Sequence, residues 1–199
     1  MNANKIEELL KTFRWETLQR IYGCGHSSII GFISTEWINL SPENSILDGA
    51  PSANTGKGRT GQKNADLILC KVDSPLIAVE VETLVDKYDE KLDSLFEYMN
   101  NKNDFNGIEF GLLFMTNLYG GVMMYKHNWE KIKERVKTNK KDNIALVSVI
   151  KERACLRDTT TLNALRKRNG YSSWDIKTVD YWIYSANPTI VKEGNIFGK

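Results

Sequence analysis

The chain has 199 residues, of which 41% are hydrophobic, 27 are basic and 25 are acidic, giving a formal net charge of +2. This length and hydrophobic content are typical of a single globular domain, and no apolar run is long enough to predict a membrane span. The three cysteines lie far apart, which argues against a disulfide framework and predicts a cytoplasmic location. The net charge is too small to indicate nucleic-acid binding by itself.

The first predicted elements are a helix, a strand and a long loop. Residues 4–22 carry apolar side chains at helical spacing and end before Gly23, which predicts an amphipathic helix. Residues 28–40 favour a strand. Residues 41–64 contain two of the four prolines and four glycines, which predicts an irregular loop.

The second half of that loop is basic. Lys57, Arg59 and Lys63, separated by small residues, are candidates for contacts with a phosphate backbone, and a plain surface loop is the alternative. Cys24 and His26 are too isolated to form a zinc site, and we interpret both as structural.

Two apolar runs follow, and both contain acidic residues. Asp66 lies in the run 64–70, and Glu80 and Glu82 lie in the run 75–83. An unpaired buried carboxylate is costly, so such groups are normally paired, protonated or bound to a metal. Because side chains alternate along a strand, Glu80 and Glu82 share a face. Leu76 and Ala78 belong to that face, and the opposite face is formed by Ile77, Val79 and Val81.

The length of the connection between the runs decides whether the acids meet. In a hairpin, a five-residue loop at 71–75 pairs Asp66 with Glu80, and a three-residue loop at 73–75 pairs Asp66 with Glu82. A two-residue turn at 73–74 would instead point Asp66 away. A shared acidic site therefore predicts an odd loop, and solvated acids on edge strands are the alternative.

Three converging carboxylates repel one another unless a cation lies among them. Hard oxygen ligands without nearby cysteine or histidine favour Mg²⁺, for which Mn²⁺ can substitute. The reaction that most often uses such a site is phosphodiester hydrolysis.

The order Asp66, thirteen intervening residues and Glu80-Val81-Glu82 resembles the signature of the PD-(D/E)XK nucleases, which include many restriction endonucleases. The resemblance covers roughly residues 5–150. It implies an α/β fold with a restriction-endonuclease-like core, a mixed central β-sheet flanked by helices in the order helix, three strands, helix, strand. It also implies that Asp66 and Glu80 bind Mg²⁺ and that Glu82 orients or deprotonates the attacking water.

The motif departs from the family pattern at two positions. Ala65 replaces the proline before Asp66, and Glu82 replaces the terminal lysine, as in the E-x-E run of BamHI-like enzymes. Three sources of water activation stay open: Glu82, the metal alone, or a lysine that has migrated to the next helix, where Lys87 and Lys91 are the candidates. The resemblance further implies an acidic residue on the opening helix. Glu16 is the candidate, and a solvated helix face is the alternative.

The remaining chain alternates helices and strands, as an α/β fold requires. Three basic residues, Arg166, Lys167 and Arg168, are candidates for phosphate contacts, with helix capping as the alternative. The predicted elements are helices at 86–99, 128–137 and 162–170 and strands at 111–116, 143–150 and 175–184. In the helix 86–99, the predicted buried stripe is Leu92, Leu95, Phe96 and Met99.

The sequence therefore predicts a single nuclease-like domain over residues 1–199, with a core at about 5–150 and a C-terminal extension at 151–199 that packs on it. The predicted activity is Mg²⁺-dependent cleavage of duplex DNA, as in a type II restriction endonuclease. A C2 homodimer is the natural assembly for cutting both strands. The alternatives are a junction or repair nuclease, a non-catalytic nucleic-acid-binding protein on the same fold, and an unrelated α/β enzyme.

Overall fold

The computed structural model describes residues 1–18, 25–48, 65–72, 74–83, 87–100, 107–116, 122–153 and 174–198. Within these residues a seven-stranded mixed sheet carries helices on both faces, so the predicted α/β class with a mixed sheet is confirmed. None of the helices in these ranges is both long enough and apolar enough to cross a membrane.

The strands neighbour one another in chain order. The helices are α1 (Ala3–Thr12), α2 (Trp15–Thr17), α3 (His26–Leu40), α4 (Tyr88–Asn100) and α5 (Val122–Asn139). The strands are β1 (Asn44–Asp48), β2 (Leu67–Lys71), β3 (Ser74–Glu82), β4 (Phe110–Met115), β5 (Ile144–Arg153), β6 (Trp174–Ala186) and β7 (Thr189–Gly198). Strands β3, β4 and β5 are parallel, with α4 and α5 as the crossovers that parallel pairing requires, and all other pairs are antiparallel.

Two apolar layers cover the sheet. Helices α1, α2 and α3 pack on one face, and α4 and α5 pack on the other. Every residue of β4 is buried, so the continuous apolar run at 111–116 forms a central strand, as the sequence predicts. The predicted helix at 128–137 and the predicted strand at 143–150 correspond to α5 and β5.

The predicted strand at residues 28–40 is wrong, because this segment forms α3. Its buried residues recur at intervals of three and four, which is the stripe of a helix packed on a sheet. They are Ile29, Phe32, Ile33, Glu36 and Trp37. The segment is rich in β-branched and aromatic residues, which are common in strands, but in a helix most of them reach the same face and are buried together.

The predicted helix at residues 4–22 is also shorter than expected. Helix α1 ends at Thr12, and Phe13 takes an extended conformation that breaks the helix. The indole of Trp15 folds back and donates from Nε1 to the carbonyl oxygen of Leu10 at 2.9 Å. Arg14, at the break, donates from its backbone N and its guanidinium to the carboxylate of Glu36 in α3. The break therefore gives buried Glu36 its partner.

Replacing Arg14 with alanine should lower the free energy of unfolding by about 1–3 kcal/mol, because Glu36 then loses its charged hydrogen bonds. Glu36 is 4% exposed, so water replaces this partner poorly. Urea unfolding followed by circular dichroism measures the loss. Lys5→Ala, on the exposed side of α1, is the control and should change the value by less than about 0.5 kcal/mol. Equal values for the two variants would contradict the prediction.

Two strands were not predicted. Strand β1 lies inside the segment 41–64 that the sequence indicates as a loop, and it pairs with β2 through Asn44↔Lys71 to Asp48↔Leu67. Strand β7 follows the predicted last strand and extends the sheet beyond β6. Its charged residues and Gly194 give it no strand-like apolar alternation. Residues 49–64 and the predicted helix at 162–170 lie outside the described ranges.

Candidate active site

The β2–β3 hairpin sets which acids meet. Leu67 pairs with Val79 and Ile68 with Ala78, so continuing the ladder by one residue places Asp66 opposite Glu80. This is the register that the sequence predicts for a five-residue loop. The predicted odd loop is nevertheless wrong, because Lys71 pairs with Ser74 across a two-residue turn.

A one-residue bulge in β3 explains why a two-residue turn still gives the register expected for a five-residue loop. Leu69 pairs with Ile77, but Cys70 pairs with Pro75, so Leu76 has no partner in this ladder. The bulge turns Leu76 toward the core beneath α1 and α3, and the prediction that Leu76 shares the face of Glu80 is wrong. Beyond the bulge the predicted faces are confirmed: Ala78 packs beneath α4, and the opposite core receives Ile77, Val79 and Val81.

Glu80 lies beneath α4 and is almost completely buried, with 1% of its surface exposed. Its Oε1 accepts a hydrogen bond from the Tyr98 hydroxyl at 2.9 Å, and its Oε2 accepts one from Lys91 Nζ at 2.5 Å. Lys91 and Tyr98 are seven residues apart, which places them on the same side of α4, two turns from each other. Helix α4 therefore supplies both partners of the buried carboxyl.

Asp66 lies directly before β2 and receives donors from three elements. Its Oδ2 accepts from the backbone N of Val81 at 2.8 Å and from Lys91 Nζ at 3.2 Å. His26, the first residue of α3, contacts the same oxygen through Nε2 at 3.3 Å. Lys91 thus bridges Asp66 and Glu80 with a single ammonium group.

The pKa values of Glu80 and Asp66 are shifted in opposite directions. Burial, followed by the negative charge of Asp66, raises the pKa of Glu80 to about 8, although the Lys91 ammonium opposes this rise. Burial also opposes ionisation of Asp66, but hydrogen bonds from the Val81 amide and Glu80 and the charge of Lys91 outweigh it and lower the pKa of Asp66. As the pH rises, Asp66 therefore loses its proton before Glu80 does. Separated pKa values in neighbouring carboxyls are typical of acid–base sites.

The cationic and phenolic partners keep their protons. Burial tends to lower the pKa of Lys91, but the carboxylates of Glu80 and Asp66 outweigh it and raise that pKa. Burial and the neighbouring Glu80 raise the pKa of Tyr98. Both groups are therefore hydrogen-bond donors at neutral pH.

Of the predicted accessory residues, the structure brings Lys91 to the acids. Glu82, predicted as the third catalytic acid, ends β3 and is 7% exposed, and among the described residues it is not one of the side-chain contacts of Asp66 and Glu80. Its Oε1 accepts from the backbone N of Thr83 at 2.7 Å. Glu16 is exposed on α2, and Lys87 is exposed just before α4. In the described part of the chain, the side-chain contacts of Asp66 and Glu80 include neither Glu16 nor Lys87. The six basic residues predicted to contact DNA lie outside the described residues: Lys57, Arg59, Lys63, Arg166, Lys167 and Arg168.

Two site residues were missed by sequence reasoning. His26 lies 40 positions before Asp66, at the start of the helix whose residues 28–40 favour a strand in the sequence, so no sequence signal places it near the acids. The spacing of Tyr98 could have predicted its place in the site, because it lies seven residues after Lys91 on the buried side of α4. A polar residue on an apolar stripe indicates a buried partner.

The donor set fits a hard divalent cation. Asp66 Oδ2 and Glu80 Oε2 converge on one position, at which Lys91 now places its positive charge. No group of three or more aspartate, glutamate, histidine or cysteine residues suited to a metal occurs in the described ranges. Two carboxylates suffice for Mg²⁺, which keeps several of its waters and is commonly held by one or two carboxylates together with substrate phosphates.

Comparison with known proteins gives no match, whether to a family model, a curated protein or a solved structure.

Proposed function

We propose that this protein is a Mg²⁺-dependent endodeoxyribonuclease with a PD-(D/E)XK-like, restriction-endonuclease-like core. The observation that carries the proposal is the bridge that Lys91 Nζ makes between Asp66 and Glu80, at 3.2 Å and 2.5 Å. The two acids of the motif and one lysine thus meet in a single cluster. The element order α3, β1, β2, β3, α4, β4 supports the proposal, because it matches the helix, three strands, helix, strand of the family.

Lys91 takes the place of the lysine that the motif lacks. It contacts both acids, whereas Glu82 hydrogen-bonds the amide of its own neighbour. Because its pKa is raised, Lys91 stays an ammonium, which suits a group that steadies the scissile phosphate better than one that accepts a proton from water.

The other residues of the site would hold the cation and orient its ligands. Asp66 and Glu80 would bind the cation through Oδ2 and Oε2, and the Tyr98 hydroxyl fixes the carboxyl plane of Glu80. Mg²⁺, or Mn²⁺ in its place, supplies charge neutralisation at the phosphate and a more acidic water. The natural substrate in this proposal is duplex DNA in the cytoplasm, cut on both strands by a C2 homodimer.

Titration of Mg²⁺ and Mn²⁺ against supercoiled plasmid and labelled duplex tests the proposal. We expect nicked and linear products that depend on the metal and disappear with EDTA, and discrete fragments if the enzyme reads a sequence. Asp66→Asn is the matched variant and should cut no faster than buffer. Single-stranded and branched DNA are included as substrates. No cutting of any of them, together with retained DNA binding, would instead favour a non-catalytic binding protein.

A further inference from the structure

The four side chains of the site differ in their exposure to solvent. The exposed fraction of the side chain rises from 1% for Glu80 to 16% for Asp66, 24% for Lys91 and 40% for His26. His26 is therefore the most exposed of these four side chains, and it lies against the carboxylate of Asp66. It is also the residue through which α3, from the opposite face of the sheet, reaches the acids.

Three donors converge on one oxygen of Asp66. Val81 N and His26 Nε2 approach Oδ2 together with Lys91 Nζ. The amide of Val81 is fixed by the sheet, whereas Lys91 must yield its position when a cation binds between the acids. Among the described residues, His26 is then the side-chain donor that remains on Asp66. Partners of this kind orient a ligating group, and their loss typically costs about 10–100-fold in metal affinity or activity.

We propose that His26 is a positioning residue, which holds the Asp66 carboxylate in the orientation that binds the catalytic cation. The inference rests on the function proposed above. It needs only a hydrogen on Nε2, and both the neutral Nε2–H tautomer and the imidazolium supply one. His26 need not touch the substrate for this role.

Three variants separate this role from a general effect of mutation. The side-chain nitrogen of glutamine lies about as far from Cα as imidazole Nε2, whereas that of asparagine lies at the distance of Nδ1. His26→Gln should therefore keep the donor to Asp66, and His26→Asn and His26→Ala should lose it. His127→Ala, which removes the exposed histidine of α5, is the control.

The readouts are kcat, the KM for duplex DNA and the Mn²⁺ concentration that gives half-maximal rate. His26→Ala and His26→Asn should lower kcat or raise the Mn²⁺ requirement by about 10–100-fold with little change in KM, and His26→Gln should recover most of the loss. Wild-type behaviour of His26→Ala, equal defects in the asparagine and glutamine variants, or a loss confined to KM would each overturn the inference.

Direct Mn²⁺ binding, measured by electron paramagnetic resonance, separates this inference from the proposed function. If the wild type cuts no DNA but binds Mn²⁺, the nuclease proposal fails, and the His26 inference is decided by affinity alone. Weaker binding by His26→Ala that His26→Gln restores would support it, and equal affinities would overturn it. A wild type that neither cuts DNA nor binds Mn²⁺ would overturn both.

Discussion

Replacing Glu80 with glutamine is expected to abolish cleavage and to raise the melting temperature at alkaline pH. The loss of activity follows from removing one of two cation ligands, which should cost several kcal/mol of transition-state stabilisation, or about 10³-fold or more in rate. The gain in stability follows from the same burial. Glu80 is 1% exposed and lies beside ionised Asp66, so its negative charge is unfavourable in the folded state.

The pH dependence has a definite sign. The pKa of Glu80 is about 8 in the folded protein, against 4.5 for an ordinary glutamate, so the folded state holds the proton more tightly between these values. That contribution to stability is fully present below about pH 4.5 and is lost as the pH rises through about 8. Glutamine resembles the protonated acid at every pH. The variant should therefore melt like the wild type in acid and above it in alkali.

Thermal melts from about pH 5 to pH 9, without metal and with Mn²⁺, measure this difference, beside a plasmid cleavage assay. Glu8→Gln is the control, because Glu8 is exposed on α1 at the other face of the sheet. A melting temperature of Glu80→Gln that falls below the wild type at alkaline pH would mean that ionised Glu80 is a stabilising partner of Lys91. Added Mn²⁺ should raise the melting temperature of the wild type and not that of the variant.

Replacing Lys91 with methionine should tighten metal binding and slow DNA cleavage, so the variant separates the two properties. In the wild type the ammonium lies 2.5 Å from Glu80 Oε2 and 3.2 Å from Asp66 Oδ2, where it repels an incoming cation. Unit charges about 4 Å apart interact by about 4 kcal/mol at an effective dielectric constant of about 20. Removing the ammonium should therefore tighten Mn²⁺ binding by at least about tenfold once the acids are ionised.

Cleavage by the same variant should fall by about 10²–10³-fold, the usual cost of removing one donor to a reacting oxyanion. Mn²⁺ binding is measured at several pH values up to about 9, because loss of Lys91 also strengthens proton binding by the acids, and protons compete with the cation. Lys87→Met is the comparison, since both lysines were candidates. A loss confined to Lys87→Met would move the role to Lys87, and unchanged cleavage by both variants would leave Lys91 with a structural role alone.

The central strands and the facing acids could be predicted from the sequence, because the patterns that indicate them are local. The buried run of β4 and the alternating faces of β3 depend on residue type and spacing alone. The acids attracted attention because carboxylates in an apolar strand need partners. Lys91 was one of two candidates on the next helix. The structure separates them because α4 begins at Tyr88, which leaves Lys87 outside the helix that packs on Glu80.

The features that the sequence does not predict depend on contacts between segments that are distant in the chain. Helix α3 has a strand-like composition, and its conformation is set by the stripe that it buries on the sheet. His26 could not be placed until that helix was known. Strand β1 lies in the segment predicted as a loop, and it forms by pairing with β2. Such strand pairing is not visible in a single sequence.

The bulge at Leu76 has a consequence for how the hairpin can vary among related chains. The ladder pairs Leu69 with Ile77 and then Cys70 with Pro75, so a single inserted residue keeps both acids on one side of the sheet. If the bulge straightened with no change in chain length, Asp66 would oppose Val79, and Glu80 would lie one position out of step with its partner. Deletion of the bulged residue Leu76 itself would instead keep Asp66 opposite Glu80. Related chains should therefore tolerate loss of the bulged residue alone, whereas a single insertion or deletion within the paired strands should be accompanied by a compensating bulge.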